Sequence, residues 1–297
     1  GVVSLAEPQL PDAAPDVTCD LCWALAELNW HADWNRRCAN AFLRRRYPEL
    51  REDLPTDHED SDGEAAGRED AVAFEAVTPE GLLRFAWALV VLNERVPAPL
   101  LDELHRLMGG ELPRDWSGAG LRALQAVSLH VHFAQRAAAE AEEGEASAAA
   151  PADPEVNAWL ELAREVPRED LFTRQQSPRP ERRRQKIAAP SYPYEQWLTI
   201  ALAQLHVPHE AGRPIGNVHR AAIAFPRQRQ LIDVLSHGDL SAPALRVLGS
   251  ADLRRRQMRQ LGWVVHPATL REVYTALRRG SMRLLAAKLI SSLDPDA

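Results

Sequence analysis

The chain has only three cysteines in 297 residues, Cys19, Cys22 and Cys38. So few cannot build a disulfide framework, and a reducing interior compartment fits better than secretion. No apolar run approaches the ~20 residues that cross a bilayer as a helix, which argues against a transmembrane role. There is no P-loop, no Ser/His/Asp pattern and no second Cys-x-x-Cys, so the usual signatures of phosphate cradling, acyl transfer and paired zinc knuckles are missing. An initiating Met is missing too. The chain opens on Gly1, which leaves room for a targeting peptide ahead of it, although the first nineteen residues read as neither an Arg-rich presequence nor a signal peptide.

What is there is ordinary in bulk, 45% hydrophobic and 26% charged, and the length suits two domains of roughly 100–200 residues. The formal charge of −7 conceals an asymmetry. Residues 1–170 hold 15 Lys+Arg against 33 Asp+Glu, a balance of −18, whereas residues 171–297 hold 20 against 9, a balance of +11. A basic half on an acidic one suggests a polyanion-facing module carried by a repelling scaffold. The plainer alternative is compositional drift in an Ala/Arg/Glu-rich chain.

Three stretches lack apolar periodicity. Residues 52–70 are an acidic insertion, residues 139–154 are Ala/Glu/Ser/Pro-rich, and residues 174–190 carry the basic run Arg182, Arg183, Arg184 and Lys186. Between them the N-terminal half repeats itself. Trp23-Ala24-Leu25 with Leu28-Asn29 recurs 64 residues on as Trp87-Ala88-Leu89 with Leu92-Asn93, and Leu124, Ala126 and Leu129 make a weaker third copy 37 further on. Allowing for the insertion, the unit is about 37 residues, in the range of helix-pair solenoids. Asp16 or Thr18 is expected to cap the first helix. Thr78-Pro79-Glu80 reads as N-cap, first-turn Pro and first-turn acid. Second helices are expected over 34–45 and 98–108, the latter ended by Gly109-Gly110.

The C-terminal half reads differently. Helices are expected over 194–205, 252–261, 270–277 and 281–293. Apolar strands are expected over 218–225, broken by Pro226, over 231–235, and from Trp263 until Pro267 stops it. That order implies a small α/β domain with a mixed sheet, making the whole chain α+β. The block Leu253-Arg254-Arg255-Arg256-Gln257-Met258-Arg259-Gln260-Leu261-Gly262-Trp263-Val264-Val265 resembles the RAP domain, the C-terminal module of FAST-kinase-like and octotricopeptide-repeat proteins of organelles. The resemblance runs from about residue 191 to 293 and includes Ala222-Ile223-Ala224-Phe225-Pro226 and Leu231-Ile232-Asp233-Val234. It implies a restriction-endonuclease-like fold and a role with organellar RNA, as a processing or stability factor or as a subunit of the mitochondrial ribosome. The alternatives are a plastid location, a metal-dependent endoribonuclease, or a protein-only assembly factor. Nucleases of that fold hold a divalent metal with strand carboxylates. Here Ala222 and Leu235 stand where acids are expected and only Asp233 survives, so the expectation is a protein without catalysis, cofactor or metal.

A helical wheel sorts the arginines. With Leu253 at zero, Leu261 falls at about 80° and Met258 at about 140°, so the buried stripe takes in Arg254 at about 100°. An inward Arg needs a partner, and Asp233 is the natural one. Arg255, Arg256 and Arg259 fall on the outer face, where bidentate guanidinium groups suit RNA phosphates. Arg182, Arg183, Arg184, Lys186, Arg227, Arg229, Arg278 and Arg279 complete the candidate RNA-binding set, with Arg283 adding to the field. The acidic half is expected to bind proteins. Cys19, Cys22, Cys38 and His31 suggest a metal site only weakly, because Cys19 and Cys22 open an apolar helix and free Cys is commonly buried. His130 and His132 are expected to pack or to sit at the solvent edge rather than to ligate, and Trp197 and Trp263 are expected to pack in the core.

Overall fold

The computed structural model describes residues 14–29, 32–54, 77–112, 116, 118–143, 160–161, 163, 166, 193–216, 218–236, 239–241 and 246–291. The chain separates into two compact units, Gly1–Pro167 and Arg168–Ala297. Most of the acidic insertion and all of the basic run at 182–186 lie outside the described residues.

The described part of the first unit is helical: α1 (Pro15–Glu27), α2 (Ala32–Arg46), a short 3-10 turn at Pro48–Leu50, α3 (Pro79–Val91), α4 (Ala98–Leu107) and α5 (Gly118–Glu143). The lead helices of successive copies pack in series, α1 on α3 and α3 on α5. The repeat also appears in the backbone. Asn29 and Asn93, 64 residues apart, both take left-handed conformations, with φ of 49° and 62°. Each follows its helix where Gly or Asn is favoured. Glu94 N–H returns to Leu89 O and Asn93 N–H to Val90 O, closing a Schellman motif. In the third copy His130 stands where Asn93 would recur, and α5 runs on without a break to Glu143. His130 Nε2 lies 3.0 Å from the Glu94 carbonyl, and His132 is exposed. Thr78 caps α3, accepting from Gly81 N–H at 3.1 Å. At α1 the expected cap is corrected. Ala14 is the N-cap and uses no side chain. Pro15 stands at the first helical position, Asp16 instead accepts from Thr78 N–H, and the Thr18 hydroxyl turns back to Ala14 O.

The second unit is a sheet with helices on both faces: α6 (Pro193–Gln204), β1 (Glu210–Ala211), β2 (Pro214–Ile215), β3 (His219–Arg220), β4 (Ile223–Phe225), β5 (Gln230–Leu235), β6 (Leu240–Ser241), β7 (Arg246–Val247), α7 (Gly249–Gln260), β8 (Val264–Thr269), α8 (Leu270–Arg278) and α9 (Met282–Ser291). The main sheet has the order β1-β4-β5-β8; β1, β4 and β5 are antiparallel neighbours and β5–β8 is parallel. Alternation along β5 sorts the core. Ile232 and Val234 face α6, α8 and α9 in one cluster, and Leu231 faces Met258 of α7 in the other.

Two expectations about strands are corrected. The apolar run 218–225 is two strands in two sheets, since His219–Arg220 pairs with Pro214–Ile215 while Ile223–Phe225 joins the main sheet. Pro267 does not stop β8, which continues to Thr269. Because β8 is an edge strand in this sheet, Pro is tolerated there: its missing N–H costs nothing when that bond would face outward.

Candidate nucleic-acid interface

Arg254 lies at the centre of a buried ionic cluster. Its Nη2 is 3.2 Å from Asp233 on β5 and its Nη1 is 2.9 Å from Asp239. Asp233 and Asp239 are 5% and 17% exposed at the side chain, and Arg254 26%. Asp239 also closes a turn, accepting from Ser236 N–H at 2.7 Å and from the Ser236 hydroxyl at 2.6 Å. Burial works against the Asp239 charge, but the Arg254 guanidinium and the Ser236 donors hold its carboxyl below the usual range. Burial likewise opposes the Arg254 charge, and Asp233 with Asp239 more than offsets it, raising its pKa. Beside this cluster, His219 donates Nε2–H to Gln257 Oε1 at 2.8 Å, and both residues are buried. Burial pushes His219 down to about 4, so it is neutral at physiological pH.

The sequence reading found Arg254 and Asp233 and missed Asp239, His219 and Gln257. Gln257 falls at about 40° on the same wheel, inside the apolar stripe, and that position was its signal. Asp239, three residues after Ser236, carried only the weak pattern of a polar turn.

These residues do not fit a divalent metal. The Asp233 carboxylate is engaged by Arg254. Ala222 is buried in the core beneath α6, α8 and α9, and Leu235 is a buried hydrocarbon. Among the described residues no group of three His, Cys, Asp or Glu side chains could hold a metal ion. In the first unit Cys19, Cys22 and Cys38 are buried free thiols. Burial first, and then Asp16, pushes Cys19 up to about 12, and burial raises Cys22 as well. His31 lies outside the described residues.

The outer-face assignment on α7 is corrected at two positions. Arg255 is 12% exposed at its side chain and pairs with Asp252 at 3.2 Å. Arg256 is half-buried, and burial lowers its pKa against the pull of Asp252. The wheel assumed that α7 is covered on one side only. Arg259, in the last turn, is exposed as expected.

The other described candidates, Arg227, Arg229, Arg278 and Arg279, are all exposed. Arg227 and Arg229 share the β4–β5 turn, and Arg229 is left-handed, with φ of 52°. That conformation costs a side-chain-bearing residue roughly 1–2 kcal/mol. Arg278 and Arg279 end α8, whose Schellman motif at Gly280 gives Ser281 N–H to Ala276 O at 2.8 Å. Arg283 donates to Gln204 at 2.8 Å. Among the described residues, no carboxylate lies within ion-pair distance of Arg227, Arg229, Arg259, Arg278, Arg279 or Arg283. Positive charge here is almost wholly guanidinium, since 33 of the 35 basic residues of the chain are Arg. Trp197 packs edge-on to Tyr274, with centroids 5.5 Å apart, and Trp263 packs against the α7-side core with Arg213 over its ring. Comparison of the chain with protein-family models and with curated proteins found no match.

Proposed function

We propose that this chain is a non-catalytic RNA-binding protein of an organelle, with a RAP-like α/β unit following a short helical-repeat unit. We place it as a structural subunit of a mitochondrial ribonucleoprotein such as the mitochondrial ribosome. The observation that carries the reading is the set of exposed arginines without carboxylate partners on the basic half of the chain. Surface arginines in a globular protein are commonly balanced by neighbours, and Arg36 and Arg84 of the helical unit pair with Glu94 and Asp20. A cation set left unbalanced suits a polyanion that supplies the counter-charge. The resemblance of residues 253–265 to the RAP block supplies the RNA and organelle assignment. The burial of Asp233 against Arg254 supports binding without cleavage. The acidic helical half, which repels phosphates, suits a protein partner.

The test is RNA binding by the full chain at salt concentrations from about 50 to 200 mM, with Mg²⁺ or Mn²⁺ present. Binding should fall with salt as counterions are released, and the RNA should remain intact. Cleavage abolished by Asp233→Ala would make the protein a nuclease. Association with ribonucleoprotein particles that survives RNase, with no RNA affinity of its own, would make it an assembly factor.

A further inference from the structure

The β4–β5 turn and the end of α7 meet at one end of the main sheet. Gly262, at φ of 81°, closes α7: its N–H donates to Arg259 O at 2.9 Å and Trp263 N–H donates to Met258 O at 3.1 Å. Val264 N–H donates to Arg229 O at 2.9 Å, which ties the turn to the start of β8. A Cβ on Gly262 would lie 3.1 Å from Arg229 Nη1, so the Arg229 side chain rests over the helix terminus. Arg229, Arg259, Gly262 and Trp263 therefore meet at this end of the sheet.

We infer that this surface is a binding site for single-stranded RNA, with Arg227, Arg229 and Arg259 taking phosphates while an unpaired base packs at Trp263. The inference rests on the RNA reading above and narrows it to one place and one class of RNA. Arg229 is the sharpest evidence. It holds a left-handed backbone that favours Gly or Asn, yet among the described residues its guanidinium makes no hydrogen bond or ion pair within the fold. The left-handed backbone serves the turn, with Arg229 N–H donating to Pro226 O at 3.3 Å and Arg229 O accepting from Val264 N–H, so it is the guanidinium alone that is left for something outside. Arg213, Arg220 and Arg255 of the same unit are engaged by Glu210, Glu195 and Asp252, whereas Arg227, Arg229 and Arg259 at this end of the sheet face no carboxylate among the described residues. The base site is apolar and aromatic. Trp263 is half-buried, with the Arg213 Cζ 5.8 Å from its ring centroid. A duplex buries its base faces, whereas a single strand offers them to aromatic and guanidinium planes.

The experiment uses the full chain with a labelled RNA of about twelve nucleotides, the size of a short single-strand site, and a duplex of the same sequence, with a heparin fragment as competitor. Arg229→Gly relieves the backbone, so its melting temperature should equal or exceed that of the parent. Its affinity for the single strand should fall about tenfold, and the slope of log affinity against log salt should shrink by about 0.7, one phosphate's share. Trp263→Leu should erase the preference for single strand over duplex, and Trp263→Phe should keep it. If Arg229→Gly binds like the parent while Arg278→Gln with Arg279→Gln does not, the protein binds RNA elsewhere and this site is wrong. If duplex binds as tightly as single strand, or heparin displaces RNA at equal charge, the single-strand assignment fails. If the parent binds no RNA at all, the functional reading itself falls.

Discussion

Removing the Arg254 guanidinium should unfold the second unit more readily than any other single charge deletion on α7. Arg254→Ala leaves Asp233 buried with no cation and takes Asp239 Oδ1 from its partner. Breaking a buried pair costs about 3–5 kcal/mol. The described α/β part spans 193–291, and for a unit of about 100 residues each kcal/mol lowers the melting temperature by roughly 4–8 °C. The transition of this unit in the full chain should therefore fall by roughly 12 °C or more in calorimetry, while Arg259→Ala, exposed and unpaired, should change it little. Arg255→Ala should lie between, since that side chain is buried beside Asp252. Arg254→Met with Asp233→Leu should recover only part of the loss, because Asp239 still lacks its cation, and adding Asp239→Asn should recover more. The same cluster sets an acid limit. Asp239 is held below its unfolded value of about 4, so its stabilisation is complete above that pH and is lost as pH falls through the folded value. Arg254→Ala melting with the parent would refute the claim that the cluster holds the unit together.

Other consequences follow from residues outside that ion-paired cluster. His219 is pushed down to about 4 against an unfolded value near 6.5, so the unfolded chain takes up the proton first. The unfolding free energy from urea titrations should be flat above pH 6.5 and fall below it, by up to roughly 3 kcal/mol at pH 4, and His219→Asn should flatten the fall. Thr269 and Glu272 form a capping box at α8, so Thr269→Ala should cost about 1 kcal/mol in chemical denaturation. The three buried thiols should ignore a thiol reagent in the native chain and react on unfolding.

Much of the fold was legible because it rests on local signals. The Pro79 start, the Gly109 and Gly262 stops and the repeated Asn29 and Asn93 each follow from backbone sterics that act within a few residues. The two-residue strands β1, β2, β3, β6 and β7 were not legible, since two residues carry no period. Pro267 misled for a related reason: its effect depends on whether β8 is an edge, a fact of topology. Within the site, the inward turn of Arg254 could be read from one helix. The burial of Arg255 and the approach of Asp239 depend on segments packed against that helix, which a single wheel does not contain. Arg227 and Arg229 were visible as charges, but the left-handed φ that gives Arg229 its meaning was not.

The central claim is that RNA is held by the basic α/β unit and not by the acidic helices. Ultraviolet crosslinking in cells that express the protein, followed by mass spectrometry of RNA-linked peptides, tests it most directly. The account requires crosslinks within 193–291, concentrated on peptides bearing Arg227, Arg229, Arg259 and Trp263. Crosslinks confined to 15–143, or none at all, would contradict it.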